Sequence, residues 1–406
     1  MSKIESIKSY SGQQLDTIFF RPMLTGSNAE QLGIKVMYNM PVPTTLHFWK
    51  RDGNILRRYS SSGWTGGVPA DKYQKQIKLH KVKAEVGYSA DNYFSTVYEL
   101  ITGRADVNLD DLSGTELEQA ETSLFRASIA ESVRATMWYG NTERSGELNT
   151  FDGFVKQIVT DSEDEEIRHF AYIPDGEKGW AEALLKRLWD NSTEELRALR
   201  SEGQLAFFVT TDVYNAYEEE LDSVAIEAAY LAKQNGREGL YYRGIPVVDV
   251  QLNGYKEAIS DLPGSFAILT DRRNLALAVN TSDMPGTEVR MWYNPDLMEN
   301  RQRAIFMAGC DYLLPELVTF AVGAPIARVK ATLEDDMVMV EGYCPTDMAW
   351  VQEILVYAYD STGEPVVEGE SLPIEMGEFV HEVEVGGATS VRLAIKSEGD
   401  AIFFLD

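Results

Sequence analysis

Three groups of residues in this sequence have side chains of the kind that do chemistry: four histidines with two cysteines, one acidic run, and one block of lysines and arginines interleaved with aromatics. Histidine, cysteine and carboxylate groups hold a metal, or act as nucleophile and base, when they recur at short fixed spacings. His47, His80, His169 and His381 are scattered, and none has a second ligand-type residue at the spacing that a metal site or a triad needs. Cys310 and Cys344 are too few and too far apart for a disulfide framework or a zinc site, and read as buried small hydrophobes. The run DSEDEE at 161–166 lacks the alternating ligands and the glycine of a calcium loop, so it reads as a solvated acidic loop. GWTGG at 63–67 has neither the spacing nor the following Lys-Ser/Thr of a phosphate loop, and no nucleophile elbow or zinc-protease helix occurs. Among the many carboxylates there is no pair to nominate as catalytic. The chain therefore reads as a non-enzyme with no cofactor and no metal site.

The basic block is more informative. Residues 50–83 carry Lys50, Arg51, Arg57, Arg58, Lys72, Lys75, Lys78, Lys81 and Lys83 against only Asp52 and Asp71. Trp49, Trp64 and Tyr73 interleave with them, as in a platform on which nucleic-acid bases stack. The chain as a whole has a net charge of −27, which disfavours strong binding to phosphate chains. Much of that excess lies late: residues 331–406 hold 17 acidic and 2 basic side chains. A basic segment on an acidic body points to contact with a second copy of that body.

Positioning these residues is the task of the elements around them. With 406 residues, 44% of them hydrophobic and 11% aromatic, the chain is long enough for two or three domains with a substantial core. Neither a signal peptide nor a membrane span is supported, since there is no basic start followed by an apolar run and no stretch of about 18 apolar residues. The first 43 residues read as an extended arm ending at Pro41 and Pro43. Residues 44–90 read as a long β-hairpin around SSSGWTGG, with Ile77 and Leu79 on one face of its second strand and Val82, Ala84 and Val86 on the other. That switch near His80 and Lys81 implies a bulge or a change of partner.

A helix is expected over 115–139, with Thr115 and Glu118 as a capping box and Gly140 as its stop. Leu117, Ala120, Leu124 and Ala127 share one face, while Phe125, Ile129, Val133 and Met137 drift round another, so the helix packs against different bodies along its length. It ends in TMWYGN, and TFDGF follows at 150–154. Two large aromatics at a helix end require something to pack against. Residues 176–286 read as mixed α+β, with Ser192 and Glu195 as a second capping box, and 287–322 hold three strand candidates. Beyond residue 325 short alternating strands at 337–343, 353–359, 378–385, 390–396 and 401–405 point to a separate β-sandwich.

The order of arm, basic hairpin, long helix, α+β domain and returning strands resembles the major capsid protein of tailed double-stranded DNA bacteriophages, the Hong Kong 97 fold. MWYGN followed by FDGF looks like the end of that family's spine helix and the start of its next strand. YYRGIPVV, FAILTDRRNLALAV and RAIFMAGCDYLLPELVTFAV look like strands of its axial domain and of the return to its peripheral domain. The resemblance implies an α+β fold with N-arm, E-loop (44–90), peripheral domain (91–175 and 287–324), axial domain (176–286) and an immunoglobulin-like decoration (325–406). It implies self-assembly into hexamers and pentamers of an icosahedral shell, put together in the bacterial cytoplasm and found in the virion. Separate scaffolding, portal and accessory proteins are implied as partners, with DNA contacted weakly and without sequence specificity, and no membrane.

For the site residues it implies Lys75, Lys78, Lys81 and Lys83 pairing with an acidic neighbour, Trp64 packing into that neighbour, and Trp138, Tyr139 and Gly140 as a structural joint. An ordinary intradomain core is the more economical role for Trp138 and Tyr139. No local motif marks the Lys–Asn isopeptide pair that some members form. The acidic sandwich reads as a solvated outer decoration, with stabilising contacts or host glycans as the other roles open to it. An encapsulin-like nanocompartment shell is the nearest alternative, and a carbohydrate-active enzyme with a β-sandwich module is an alternative from another class.

Overall fold

A computed structural model of the chain describes residues 8–10, 29, 32–38, 44–50, 71–89, 116–163, 167–174, 179–224, 239–252, 254–255, 259–280, 288–334, 336–345, 350–374, 376–397 and 400–405. Trp64, Thr115 and most of the N-terminal arm lie outside them. In chain order the first strands are β1 (Lys8–Tyr10), β2 (Lys35–Tyr38), β3 (Thr44–Lys50), β4 (Asp71–Ile77) and β5 (His80–Ser89), followed by helix α1 (Glu116–Tyr139). Then come α2 (Phe154–Asp161), β6 (Arg168–Tyr172), α3 (Trp180–Asn191), α4 (Glu194–Ala198), β7 (Leu205–Val209) and α5 (Thr211–Val224). After these stand β8 (Leu240–Tyr242), β9 (Ile245–Asp249), β10 (Phe266–Asp271), β11 (Leu275–Asn280), β12 (Glu288–Asn294), β13 (Glu299–Tyr312) and β14 (Val318–Gly323). The rest are β15 (Arg328–Glu334), β16 (Met337–Cys344), β17 (Val351–Tyr359), β18 (Pro365–Pro373), β19 (Gly377–Glu384), β20 (Ser390–Ser397) and β21 (Ile402–Leu405). The chain divides into two units, one of Met1–Gly26, Val36–Ala130 and Leu277–Leu313, the other of Ser27–Lys35, Glu131–Ala276 and Leu314–Asp406.

In the first unit, the segment expected as one hairpin strand is two strands with different partners. β4 pairs with β3 from Thr44 opposite Ile77 to Lys50 opposite Asp71. β5 pairs instead with the long β13, from Ala308 opposite His80 to Glu299 opposite Ser89. The partner changes at Lys78 and Leu79, next to the point where the apolar residues switch faces. The sheet that receives β5 runs β1-β12-β13-β11-β2.

Helix α1 spans 24 residues and passes from one unit to the other, its residues up to Ala130 grouping with the first and those from Glu131 with the second. The drifting row is buried at Phe125, Ile129, Val133 and Met137. Ala127 is exposed, so the row expected to include it does not form a continuous buried face.

The second unit is built on a mixed sheet in the order β18-β17-β20-β21-β6-β14-β10-β7-β9-β8. Every residue of β7, β10 and β14 is buried. Strands covered on both faces need this near-continuous apolar character. On one face Phe207, Val209, Ala267, Leu269 and Ala321 share a core with Leu184, Leu185 and Leu188 of α3, Leu196 of α4, and Val213 and Tyr217 of α5. The alternate residues Phe208, Phe266 and Phe320 form the other face.

Local hydrogen bonds fix the helix starts. The Glu220 carboxylate on α5 accepts from the backbone N–H groups of Gly179, Ala181 and Glu182 at 2.9, 2.9 and 2.8 Å, placing a negative charge on the N-terminus of α3. The cap of α4 is Thr193, whose Oγ1 accepts from Leu196 N at 3.2 Å, and not Ser192 as the capping-box spacing implied. Ser192 instead donates to Trp189 O, because it closes α3.

Past residue 325 the expected strands are present and two more join them, β15 and β18. β15, β16 and β19 form one sheet, while β17, β18, β20 and β21 belong to the long sheet of the second unit. β21 lies parallel to β6 with Leu405 opposite Ala171. Residues 314–406 accordingly group with the second unit, and the division of the chain has no break at 325.

Candidate functional site

Trp138, Tyr139 and Gly140 come together in the second unit at the end of α1. Trp138 and Tyr139 are fully buried. The indole lies edge-on to Phe154 of α2 at 5.4 Å between ring centres, with Phe208 at 5.6 Å and Phe266 at 5.8 Å. Tyr139 meets Phe266 edge-on at 5.7 Å and its hydroxyl donates to Gly264 O at 3.3 Å. These edge-to-face contacts suit the quadrupoles of the rings.

Gly140 ends the helix for a reason other than a left-handed cap, since its φ is not positive. Gly140 N donates to Thr136 O and Gly153 N donates to Gly140 O, both at 2.8 Å, drawing two backbone segments into contact. A Cβ on Gly140 would lie 2.1 Å from Phe151 O, and one on Gly153 would lie 2.6 Å from Trp138 O. Around the crossing, Asn141 binds the Asp261 carboxylate, and Arg144 reaches the same carboxylate and donates to Tyr139 O at 3.1 Å.

Beside these rings runs a polar chain that no spacing in the sequence announces. The hydroxyls of Tyr172 and Ser265 are 2.6 Å apart, and Ser265 donates to Asp212 at the start of α5. Burial, and then the charge of Asp212, push the phenols of Tyr139 and Tyr172 well above the ordinary tyrosine value. Both remain protonated in the fold, while the unfolded chain ionises near pH 10. Their contribution is therefore present below that pH and is lost as pH rises above it. The thermal midpoint should hold steady from pH 7 to about 9.5 and then fall. Tyr139→Phe, which keeps the ring, should make that fall shallower while Tyr172 still titrates; an unchanged alkaline slope would show that Tyr139 does not contribute to it.

The lysines singled out by the sequence lie in the first unit. Lys75 is engaged within its own chain, with its ammonium 2.9 Å from the Asp311 carboxylate and 3.6 Å from the centre of the Tyr312 ring. Its charge is thus spent at the base of the hairpin instead of being offered outward. Lys78, Lys81 and Lys83 are exposed. Lys83 pairs with Glu85 at 2.8 Å, two residues along the same strand face, and holds that carboxyl below its usual range. So exposed a pair exchanges its partners easily.

Cys310 and Cys344 are buried and form no disulfide. His169 has its ring nitrogens 2.7 Å from Ile167 O and 3.0 Å from Ile402 O, where it joins two strands. Among the described residues no three His, Cys, Asp or Glu side chains lie together as a metal site would need, and no helix is long and apolar enough to cross a membrane.

The chain is similar to solved phage capsids. With the satellite phage P4 procapsid that includes the size determination protein, the TM-score is 0.47 at 10% identity over 75% of this chain and 97% of that one. With Mycobacterium phage Ogopogo it is 0.46 at 10% identity, over 73% and 92%. With the capsid of the native GTA particle it is 0.41 at 12% identity, over 80% and 94%. No family model matches the chain, and no curated protein matches it.

Proposed function

We propose that this chain is the major capsid protein of a tailed double-stranded DNA phage, a structural subunit that assembles through its own copies into hexamers and pentamers of a closed shell. The observation that supports it most is α1: a continuous 24-residue strut that follows a basic hairpin, passes from one unit to the other, and is locked at its end by Trp138, Tyr139 and the Gly140–Gly153 crossing. Heterologous contacts between identical copies close into rings and shells when the rotation closes, which is how such a subunit assembles. In this reading β3 and β4 are the E-loop, α1 is the spine helix, and 44–90, 91–175 with 287–324, and 176–286 are the E-loop, peripheral and axial parts. Residues 325–406, whose strands β17, β18, β20 and β21 continue the second unit's sheet, would lie on the outer surface as part of that unit and not as a separate sandwich. A scaffold, a portal and packaged DNA are its partners, and the virion is its location. Electron microscopy of the expressed protein tests the reading. Rings or shells are expected, holding DNA when made in infected cells; a uniform monomer under all assembly conditions would sink it.

A further inference from the structure

The sheet β15-β16-β19 presents one face whose side chains are exposed among the described residues. On β16, Met337, Met339, Glu341 and Tyr343 point outward, alternating with the buried Val338, Val340 and Cys344. On β19, Glu378, Val380, Glu382 and Glu384 do the same, alternating with the buried Phe379 and Val383. Val380 is 61% exposed, and Met376, just before β19, is 72% exposed. The register sets each methionine beside a glutamate, Met339 opposite Glu382 and Met337 opposite Glu384. On the neighbouring strand β15, Glu334 stands opposite Met337, while the same strand carries two cations, Lys330 opposite Glu341 and Arg328, which pairs with Glu378. The result is an apolar stripe with a predominantly acidic surround, which is a docking surface and not a solvated face.

Charge decides what covers it. The strongest basic block in the sequence is residues 50–83, and its described exposed members Lys78, Lys81 and Lys83 lie at the β4–β5 break and along β5. Lys81 and Lys83 are two residues apart on one strand, as are Glu382 and Glu384, so both pairs repeat at about 7 Å. A lysine suits the Met–Glu pairs particularly well, because its four-carbon stem lies on the methionine while the ammonium reaches the carboxylate. We propose that this outer face of β16 and β19 docks the Lys78–Lys83 segment of a second copy of this chain, Lys83 exchanging Glu85 for a glutamate of β19. The inference rests on the shell reading only in requiring many copies side by side.

The test uses two single-cysteine-addition variants of the full chain, Lys81→Cys with one tag and Glu382→Cys with another, so that only a link between copies can form. Mixed and oxidised, they should yield a disulfide-linked species carrying both tags at least ten times more abundant than linked pairs carrying a single tag, and several-fold less of it in 1 M salt where charge attraction is screened. Independently, Lys81→Glu with Lys83→Glu in one copy should abolish linking by neighbouring cysteine pairs, and Glu382→Lys with Glu384→Lys in the other should restore it. Shells that form without the link would overturn the docking and leave the shell reading standing, and so would a basic accessory protein found on this face in its place. A link between copies that never build rings or shells would keep the docking and overturn the shell reading.

Discussion

Gly140→Ala should cost about 3 kcal/mol or more, read as a fall in the urea midpoint at constant slope. The added methyl would sit 2.1 Å from Phe151 O, 2.6 Å from Thr136 O and 2.8 Å from Thr136 Cγ2. Overpacking is tolerable where a flexible side chain can swing away, but here two of the three obstacles are backbone carbonyls. Neither carbonyl can retreat cheaply. Thr136 O accepts from Gly140 N, and Phe151 is buried two residues before Gly153, which donates to Gly140 O. Any separation would also draw Trp138 off Phe154 and Phe208. Gly254→Ala is the control, since a Cβ there meets nothing within 4 Å, and it should change stability by no more than about 0.5 kcal/mol. Equal midpoints for the two variants would mean that the crossing is not close-packed.

Gly309→Ala should be the second severe change, of about 2–3 kcal/mol, and it should act locally. A Cβ there would lie 2.1 Å from Lys78 O and 3.1 Å from the carbonyl carbon. Lys78 sits at the break where the chain leaves β3's partner strand and starts its pairing with β13. The methyl would therefore push the start of β5 away from Ala308, the first rung of that pairing. Hydrogen exchange should show loss of amide protection along β5 while β7 and β10 in the other unit keep theirs. Uniform loss in both units would show that the break is not an independent seam.

Much of this was legible because the physics was local. Strands with a strict period or an unbroken apolar run, such as VTFAVG and MVMVEGYC, fell within a residue or two of their expected places. The partner change at Lys78 was foreshadowed by the face switch beside it, since a strand can bury opposite faces in succession only by changing what it lies against. β15 and β18 leave little trace in the sequence for one shared reason: each ends its sheet, so few of its residues are buried and the alternation fades. β18 also carries Pro365, Gly369 and Pro373, which are tolerated at an edge and argue against a strand anywhere else. The role of Gly140 was half legible. A glycine after a helix suggested a left-handed stop, whereas its reason is the approach of a segment eleven residues later, which no nearest-neighbour rule contains. The Glu220 cap of α3 and the Ser265–Asp212 chain were invisible for the same cause, since their partners are distant in sequence. The basic neighbours of Lys75 in the sequence suggest an outward charge, and Asp311 comes to it only through the fold.

The pairing of β21 with β6 imposes an order in time. His169 and Ile402 touch although 233 positions separate them, so β6 cannot be flanked on that side until almost the last residues described here have left the ribosome. Until then one margin of the central sheet stands open, with Phe170 and Tyr172 alongside unpaired peptide groups, and an open margin is a template for the wrong partner. Pairing of β21 closes that margin of β6, while β8 and β18 stay as the outer edges of the same sheet.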